Sequence, residues 1–250
     1  MKHDGNMLVS VITVCYNSSS TIARTIKSIL NQSYDNIEYI IVDGKSNDNT
    51  VEIVNGFQNA FYQKFHRTIC VVSEPDQGIY DAMNKGIALA KGTFIGILNS
   101  DDTYEPDAVS TVVQKVSDKP LQICYGGIKI YEGDKLESIV FLSHEFMEER
   151  MIAHPSCFVS RDVYDKYGTF NIRYESAADY EFMLRVYDKK EITFTPVYAP
   201  LANFYLGGKS TTCAGYRDKL RMLYETGRMK RLTYLARTLV LWMKSIFGGK

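Results

Sequence analysis

Two adjacent carboxylates, Asp101 and Asp102, follow an apolar segment in the sequence Asn99-Ser100-Asp101-Asp102. Carboxylates held side by side at the end of a buried strand repel each other unless a cation neutralises them. A hard divalent ion with oxygen ligands supplies that charge, and it commonly binds substrate phosphates as well. A turn that caps the following helix is the competing interpretation, because aspartate suits both positions.

A third carboxylate, Asp179, opens a predicted helix and is followed by Glu181. A carboxylate beside a cleft can take the proton from an attacking hydroxyl group. Acidic residues in a first helical turn also complement the helix dipole. The local pattern by itself therefore favours a structural role for both residues.

Other polar residues have the chemistry to bind a ligand, and each has a structural alternative. Asp43 could accept a hydrogen bond from a base or a ribose hydroxyl, or it could shape a turn. Asn84 and Lys85 follow Asp76-Gln77-Gly78 on a predicted helix and could reach the same ligand, although Lys85 also suits a solvated surface. His154 could contact an acceptor or fill a structural position.

The elements that must position these residues alternate regularly in the first hundred residues. The predicted strands are Leu8–Cys15, Ile37–Val42, Thr68–Val72 and Thr93–Leu98, and the predicted helices are Ser20–Leu30, Asn49–Phe65 and Ile79–Ala90. This order predicts an α/β fold with a mostly parallel sheet. Ligands bind beyond the carboxyl ends of such strands, and each strand here ends in a polar cluster. We therefore expect the clusters to converge on one edge of the sheet.

The second half of the chain is less regular. Strands are predicted at Leu121–Tyr131, Ser138–Leu142, Pro155–Ser160 and Ile192–Leu206, and helices at Arg161–Tyr167 and Ala178–Tyr187. The glycine-rich segment Gly207–Thr212, which contains Lys209, predicts a mobile loop that closes over a ligand. It lacks the glycine spacing of a P-loop.

The last segment of the chain is predicted to be an amphipathic helix. Leu232, Leu235 and Leu239 recur at helical spacing, and Lys230 and Arg237 lie around the other side. This pattern suits a helix on an anionic membrane surface. It also suits a helix packed on the domain or on a second copy of the chain, which would make a homodimer.

Composition narrows the class of protein. The 250 residues have zero formal net charge, which gives no indication of a nucleic-acid partner. Five widely spaced cysteines predict buried free thiols in a reducing compartment. No signal peptide or apolar segment of membrane-spanning length is evident. These features predict a cytoplasmic protein, which would be peripheral on the inner face of the cell membrane if the tail helix binds lipid instead of packing on protein.

Together, these segments resemble the family 2 glycosyltransferases with the GT-A fold. The segments that carry the resemblance are Val11–Asn17, Ile40–Asp48, Ser73–Gly86, Leu98–Asp102 and Ala178–Glu181. The resemblance implies a Rossmann-like, mostly parallel sheet flanked by helices. It further implies a glycosyltransferase domain over residues 1–212, with a nucleotide-binding half at 7–105, an acceptor half at 106–212 and a helical basic tail at 213–250.

The same resemblance implies roles for individual residues. The donor nucleotide would be bound by Thr13, Cys15, Tyr16, Asn17, Asp43, Asp76, Asn84, Lys85, Ser100 and Asp101. Asp101 and Asp102 correspond to the DxD-type motif that places Mn²⁺ or Mg²⁺ on the donor diphosphate. Because Asn99 stands where many members have the first aspartate, the direct metal ligand stays open between these two residues. Asp179 would be the catalytic base, and His154, Glu181 and Lys209 would serve the acceptor or the lid.

The activity implied is an inverting, metal-dependent transfer of a sugar from a nucleotide-diphosphate sugar, with UDP the most frequent nucleotide. The acceptor would be a glycan or a lipid-linked molecule in bacterial surface polysaccharide synthesis. A sugar-phosphate nucleotidyltransferase is one alternative, although residues 15–21 lack the glycine-rich loop expected of it. A non-catalytic module that binds nucleotides or sugars is the other, and it would not need both Asp101-Asp102 and Asp179.

Overall fold

The computed structural model of the chain describes residues 7–207 and 213–247. In these residues, nine strands form one sheet. The strands are β1 (Val9–Cys15), β2 (Ile37–Asp43), β3 (Cys70–Ser73), β4 (Phe94–Asn99), β5 (Thr103–Tyr104), β6 (Gln122–Glu132), β7 (Lys135–Val140), β8 (Cys157–Ser160) and β9 (Thr193–Tyr205).

Helices cover both faces of the sheet. They are α1 (Ile22–Leu30), α2 (Thr50–Gly56), α3 (Gln58–Phe65), α4 (Ile79–Leu89), α5 (Ala108–Lys115), α6 (Arg161–Tyr167), α7 (Ala178–Tyr187), α8 (Cys213–Glu225) and α9 (Arg231–Phe247). Short 3₁₀ turns lie at His144–Phe146 and His154–Ser156. None of the described helices combines the length and apolar character needed to span a membrane.

The strand order is β3-β2-β1-β4-β8-β6-β9-β5, and β7 pairs with β6 outside this order. Strands β1 to β4 are parallel, as the alternating pattern predicts. The second half adds β8, which is antiparallel to both β4 and β6. The sheet is therefore mixed but mostly parallel around its N-terminal half.

Strand register brings the polar strand ends together. Cys15 lies opposite Asp43, and Asp43 lies opposite Ser73. On the other side of β1, Val14 lies opposite Asn99. The convergence of these strand ends on one edge of the sheet is thus confirmed.

The core has two layers because β1 and β2 are covered on both faces. Val11 and Ile41 face the layer that contains α1, α3 and α5, whereas Ile12 and Ile40 face the layer that contains α4 and α7. A β-carbon on Gly86 would collide with the side chain of Ile12. This glycine therefore lets α4 pack closely on β1.

Two predictions about local structure are wrong. The helix predicted over Asn49–Phe65 is two helices, since the chain tightens at Gly56-Phe57 and the Phe57 amide donates to Val54 O at 3.0 Å. Glycine at this point weakens the helix. Cys70 is exposed rather than buried, while Cys15, Cys124 and Cys157 are buried free thiols.

Candidate active site

A shallow surface beyond β1, β2 and β3 carries an exposed aromatic ring beside an acidic side chain. Tyr16 is 58% exposed, and it follows the last residue of β1. A β-carbon on Gly44 would collide with Asp76 Oδ2 and would lie 3.4 Å from the Tyr16 ring. Tyr16, Gly44 and Asp76 thus form one contiguous surface, on which a flat ring could stack while the carboxylate accepts its N–H group.

Asp43 lies beneath this surface and is only 1% exposed. Its carboxylate accepts hydrogen bonds from the Ser46 amide at 3.0 Å, from Ser73 Oγ at 2.6 Å and from Ser46 Oγ. The Cys15 thiol is also directed at it, at 3.7 Å. Burial and the charge of Asp43 raise the pKa of Cys15, which keeps the thiol protonated. Asp43 therefore holds the loop after β2 in place.

Several predicted donor residues connect loops at this edge. Asn17 has a left-handed backbone, and its Oδ1 accepts from the Asn47 amide at 2.9 Å. Ser100 Oγ and Ser18 Oγ are 2.8 Å apart. The side chain of Thr13 is fully buried and accepts from Tyr39 Oη at 3.0 Å, so it faces the core instead of the edge.

The two predicted donor residues on α4 are engaged within the protein. Lys85 Nζ lies 2.9 Å from Glu74 and 3.4 Å from Asp81. The amide of Asn84 donates to Phe170 O and accepts from the Phe170 N–H, both at 2.9 Å. Asn84 thus joins α4 to the segment before α7, and Lys85 holds the loop that carries Asp76.

The two candidate metal ligands differ in their surroundings. Asp101 is partly exposed, and its main-chain carbonyl accepts from Arg24 at 2.7 Å. Asp102 is fully buried; its Oδ1 accepts from the Tyr205 amide at 3.1 Å, and its Oδ2 has no hydrogen-bond partner among the described residues. Burial, together with the charge of Asp101, raises the pKa of Asp102 to about 8.

Asp101 and Asp102 fit a metal site in which the protein supplies only some of the ligands. Within the described residues, no three histidine, cysteine, aspartate or glutamate side chains gather as a metal cage. Magnesium-type sites commonly use one or two carboxylates and take their other ligands from substrate phosphates and water. The pair Asp101-Asp102 matches that pattern.

Asp179 lies in the first turn of α7 and is half-buried. Its Oδ1 accepts a hydrogen bond from Tyr80 Oη at 2.8 Å and another from the Tyr180 amide at 2.8 Å. Burial and the charge of Asp179 raise the pKa of Tyr80, so this hydroxyl is the donor. Both contacts use the same oxygen, which leaves Oδ2 without a hydrogen bond from the described residues.

The residues predicted for the acceptor or lid separate into different environments. His154 packs edge-on against Phe170, with ring centroids 5.6 Å apart. Burial lowers the pKa of His154, and the negative charge of Asp179 partly opposes this effect. Glu181 is buried and pairs with Arg185 at 3.0 Å, so it supports α7 instead of facing an acceptor. Lys209 lies outside the described residues.

Sequence reasoning did not identify Tyr80 or Gly44 as site residues, although both lie in the segments that carry the family resemblance. Tyr80 donates its hydrogen bond to Asp179, which lies 99 positions further along the chain. The role of Gly44 depends on Asp76, which comes from a different strand-end loop. Only the folded arrangement reveals these contacts.

Comparison with known proteins gives the class. The sequence profile of the family described as "Glycosyl transferase family 2" matches residues 10–220. A PGL/p-HBAD biosynthesis glycosyltransferase of Mycobacterium tuberculosis is 28% identical over 208 residues, which are 82% of this chain and 80% of that protein. A chondroitin synthase of Pasteurella multocida is 33% identical over 185 residues, which are 72% of this chain and 19% of that protein.

Solved structures share the fold at low sequence identity. Residues 1–349 of S. aureus TarS in complex with UDP-GlcNAc align with a TM-score of 0.70 and 17% identity, over 87% of this chain and 65% of that one. A mannosyltransferase from Pyrobaculum calidifontis in complex with GDP-Man and Mn²⁺ aligns with a TM-score of 0.61 and 16% identity, over 94% of this chain and 64% of that one. The chain belongs to glycosyl transferase family 2 and has the GT-A fold.

Proposed function

We propose that this chain is a metal-dependent, inverting glycosyltransferase that moves a hexose from a UDP-sugar to a hydroxyl group of a glycan or lipid-linked acceptor in bacterial surface polysaccharide synthesis. The observation that carries the proposal is the pairing of Asp179 with Tyr80. The hydroxyl of Tyr80 occupies one carboxylate oxygen and leaves the other free to accept a proton. Tyr80 lies in the first turn of α4, directly after the loop that carries Asp76.

The donor nucleotide would lie on the surface formed by Tyr16, Gly44 and Asp76. Tyr16 offers an exposed ring for stacking, and Asp76 offers an acceptor for the N–H group of a base. The bound structures with UDP-GlcNAc and GDP-Man are consistent with a nucleotide-sugar donor. Asp43 and Cys15 would support this surface from below.

Asp101 would be the direct metal ligand, because it is partly exposed whereas Asp102 is fully buried. Asp102 would position it from within the protein through the Tyr205 amide. A bound Mn²⁺ or Mg²⁺ would offset the negative charge that develops on the diphosphate as the sugar leaves. The solved neighbour with Mn²⁺ supports a divalent ion of this type.

Transfer would proceed in one displacement. The acceptor hydroxyl gives its proton to Asp179 Oδ2 and its oxygen forms a bond to the anomeric carbon. The bond from that carbon to the diphosphate breaks on the opposite face, and the nucleoside diphosphate leaves with the bonding electrons. The configuration at the anomeric carbon is therefore inverted. One base is sufficient, so a second carboxylate that flanks the sugar is not required.

Thermal melting with UDP, GDP and dTDP, each with and without Mn²⁺, tests the donor site. A ligand at a hundred times its dissociation constant should stabilise the folded protein by about 2.7 kcal/mol. We expect a stabilisation by UDP that requires Mn²⁺. A melting shift with GDP and not with UDP would mean that the donor is a GDP-sugar. If no nucleotide shifts the melting temperature and no sugar is transferred, the proposal is refuted. The anomeric configuration of the product, read by NMR, tests inversion.

A further inference from the structure

A cleft next to the start of α7 lies apart from the proposed donor surface, and Asp179 is not among the residues that line it. Its volume is about 450 Å³, and α8 and α9 form one of its sides. We call it the basic cleft, because it is lined by the cations Lys219, Arg228, Lys230 and Arg237. Tyr180, the neighbour of Asp179, is also part of its lining.

One of these four cations is neutralised within the protein. Arg228 donates to Glu148 at 3.1 Å, to Leu184 O at 3.1 Å and to Asp188. These contacts fix the turn between α8 and α9 to the body of the protein. Glu148 is thereby paired with Arg228. The other carboxylate that lines the cleft belongs to Glu149, which is exposed.

The remaining cations have no carboxylate partner among the described residues. Lys219 Nζ lies 4.9 Å from the centre of the Tyr180 ring. Burial and the nearby charge of Arg237 lower the pKa of Lys219. Lys219 is half-buried and Arg237 is exposed, and both line the cleft, so an anion between them would be attracted by both charges.

The cleft is close to the proposed base. Tyr180, which lines the cleft, is the residue directly after Asp179 in the first turn of α7. Asp218, the residue before Lys219, accepts from the Ser176 amide at 2.8 Å and ties α8 to the segment before α7. An anion in the cleft would therefore lie next to the first turn of α7, which carries Asp179.

The outer side of α9 is apolar and exposed. Leu232, Leu235 and Leu239 are 82%, 51% and 54% exposed. They lie on nearly the opposite side of α9 from Lys230, Thr233 and Arg237, which line the cleft. The sequence contains no acidic residue after Glu225, so this helix is complementary to an anionic lipid surface.

We propose that the basic cleft binds the phosphate group of an acceptor in which a sugar is joined to a lipid through phosphate, while the leucine side of α9 lies in the lipid surface. This proposal rests on the proposed function, since it names the class of acceptor. An α-helix is roughly 10 Å across, and such helices sit at the headgroup boundary. A cleft on the inner side of α9 would then be level with lipid phosphates. Lys219 and Arg237 would hold the phosphate by charge-assisted hydrogen bonds, with the sugar that it carries directed to Asp179.

The test measures binding of the full chain to three kinds of phosphatidylcholine vesicle: unmodified, with phosphatidylglycerol, and with a polyprenyl phosphate at the same charge density. The cleft variant is Lys219→Gln/Arg237→Gln, and the control variant is Lys91→Gln/Lys115→Gln, which removes two exposed lysines elsewhere. We expect wild type and control to bind polyprenyl phosphate vesicles about tenfold more tightly than phosphatidylglycerol vesicles. The cleft variant should lose this preference. Free inorganic phosphate should abolish the tighter binding to polyprenyl phosphate vesicles and leave binding to phosphatidylglycerol vesicles unchanged.

A second variant separates the two parts of the proposal. Leu235→Gln/Leu239→Gln should weaken binding to all vesicles and keep the preference for polyprenyl phosphate. Equal binding to both anionic vesicles, or a cleft variant that keeps the preference, would overturn the phosphate site. The melting shift with UDP and Mn²⁺ is recorded for every variant, and it should be unchanged. If that shift and sugar transfer are both absent in the wild type, the proposed function fails while the vesicle result still decides the cleft.

Discussion

The hydroxyl of Tyr80 donates a hydrogen bond to Asp179 Oδ1 at 2.8 Å, across 99 residues of sequence. This contact links α4, which follows the donor-side loop, to the helix that carries the proposed base. Asn84 reinforces the same link one helical turn later through its two hydrogen bonds to Phe170. Helix α4 thus sets the position of Asp179 relative to the donor surface.

Asp179→Asn should lower the rate of transfer by about 10²–10⁴-fold, because the side chain can no longer accept the proton. Binding of nucleotide and Mn²⁺ should be unchanged, as measured by melting shifts. Equal loss of transfer and nucleotide binding would argue against the role of a base.

Tyr80→Phe should lower kcat about tenfold and leave the donor KM unchanged, since one hydrogen bond to a charged group is lost. Tyr39→Phe is the matched control; it removes a buried hydroxyl that binds Thr13 and should leave kcat and KM unchanged. An unchanged kcat in Tyr80→Phe would show that Tyr80 has only a packing role.

Asp101→Asn and Asp102→Asn should have different effects on the donor site. Asp101 is partly exposed and can reach a metal ion, so its loss should abolish the Mn²⁺-dependent part of UDP binding. Asp102 is buried against the Tyr205 amide, and asparagine keeps that acceptor, so binding should fall only about threefold or less. Calorimetric titration of UDP with and without Mn²⁺ measures both. The reverse ranking would make Asp102 the direct ligand.

The fold was predictable because its signals are local. Short apolar runs, helical spacing and the alternation of the two specify a parallel sheet, and parallel pairing alone brings Cys15, Asp43 and Ser73 to one edge. The resemblance to a family added the expected role of Asp179, which its own sequence neighbourhood does not reveal.

The direction of individual side chains was not predictable. Asp101 and Asp102 are neighbours with the same chemistry. The buried Asp102 differs in that it accepts a hydrogen bond from the Tyr205 amide of β9, which is distant in the sequence. Asn84 and Lys85 were predicted to contact the donor, but their partners Phe170 and Glu74 come from segments that the local pattern does not connect. Long-range contacts of this kind have no signal in a single sequence.

Gly44→Ala should weaken nucleotide binding with little loss of stability. The new methyl group would displace Asp76 from beside the Tyr16 ring. Gly56→Ala is the control, because a β-carbon there meets no neighbouring atom. Titration with UDP should show about tenfold weaker binding for Gly44→Ala and no change for Gly56→Ala. Unchanged binding in Gly44→Ala would place the nucleotide elsewhere.

His154 should make the stability of the protein fall in mild acid. Burial lowers its pKa in the folded state, so the unfolded chain binds more protons as the pH falls through the ordinary histidine range near ~6.5. The free energy of unfolding must then decrease with decreasing pH. Denaturant titrations at pH 7.5 and 5.5 should show a smaller decrease for His154→Gln than for wild type. The exposed His66→Asn should behave like wild type.

Replacing Tyr104 with phenylalanine should stabilise the folded protein. Its hydroxyl is buried and has no hydrogen-bond partner in the part of the chain that the structure describes, and its ring stacks on Phe158 with centroids 5.3 Å apart. Phenylalanine keeps the stacked ring and removes a buried polar group that costs about 1–3 kcal/mol when unpaired. Tyr104→Phe should therefore raise the free energy of unfolding by about 1 kcal/mol, whereas Tyr39→Phe, which loses a made hydrogen bond, should lower it by a similar amount. Denaturant titrations of both variants measure the two signs, and a destabilised Tyr104→Phe would mean that this hydroxyl has a partner in solution.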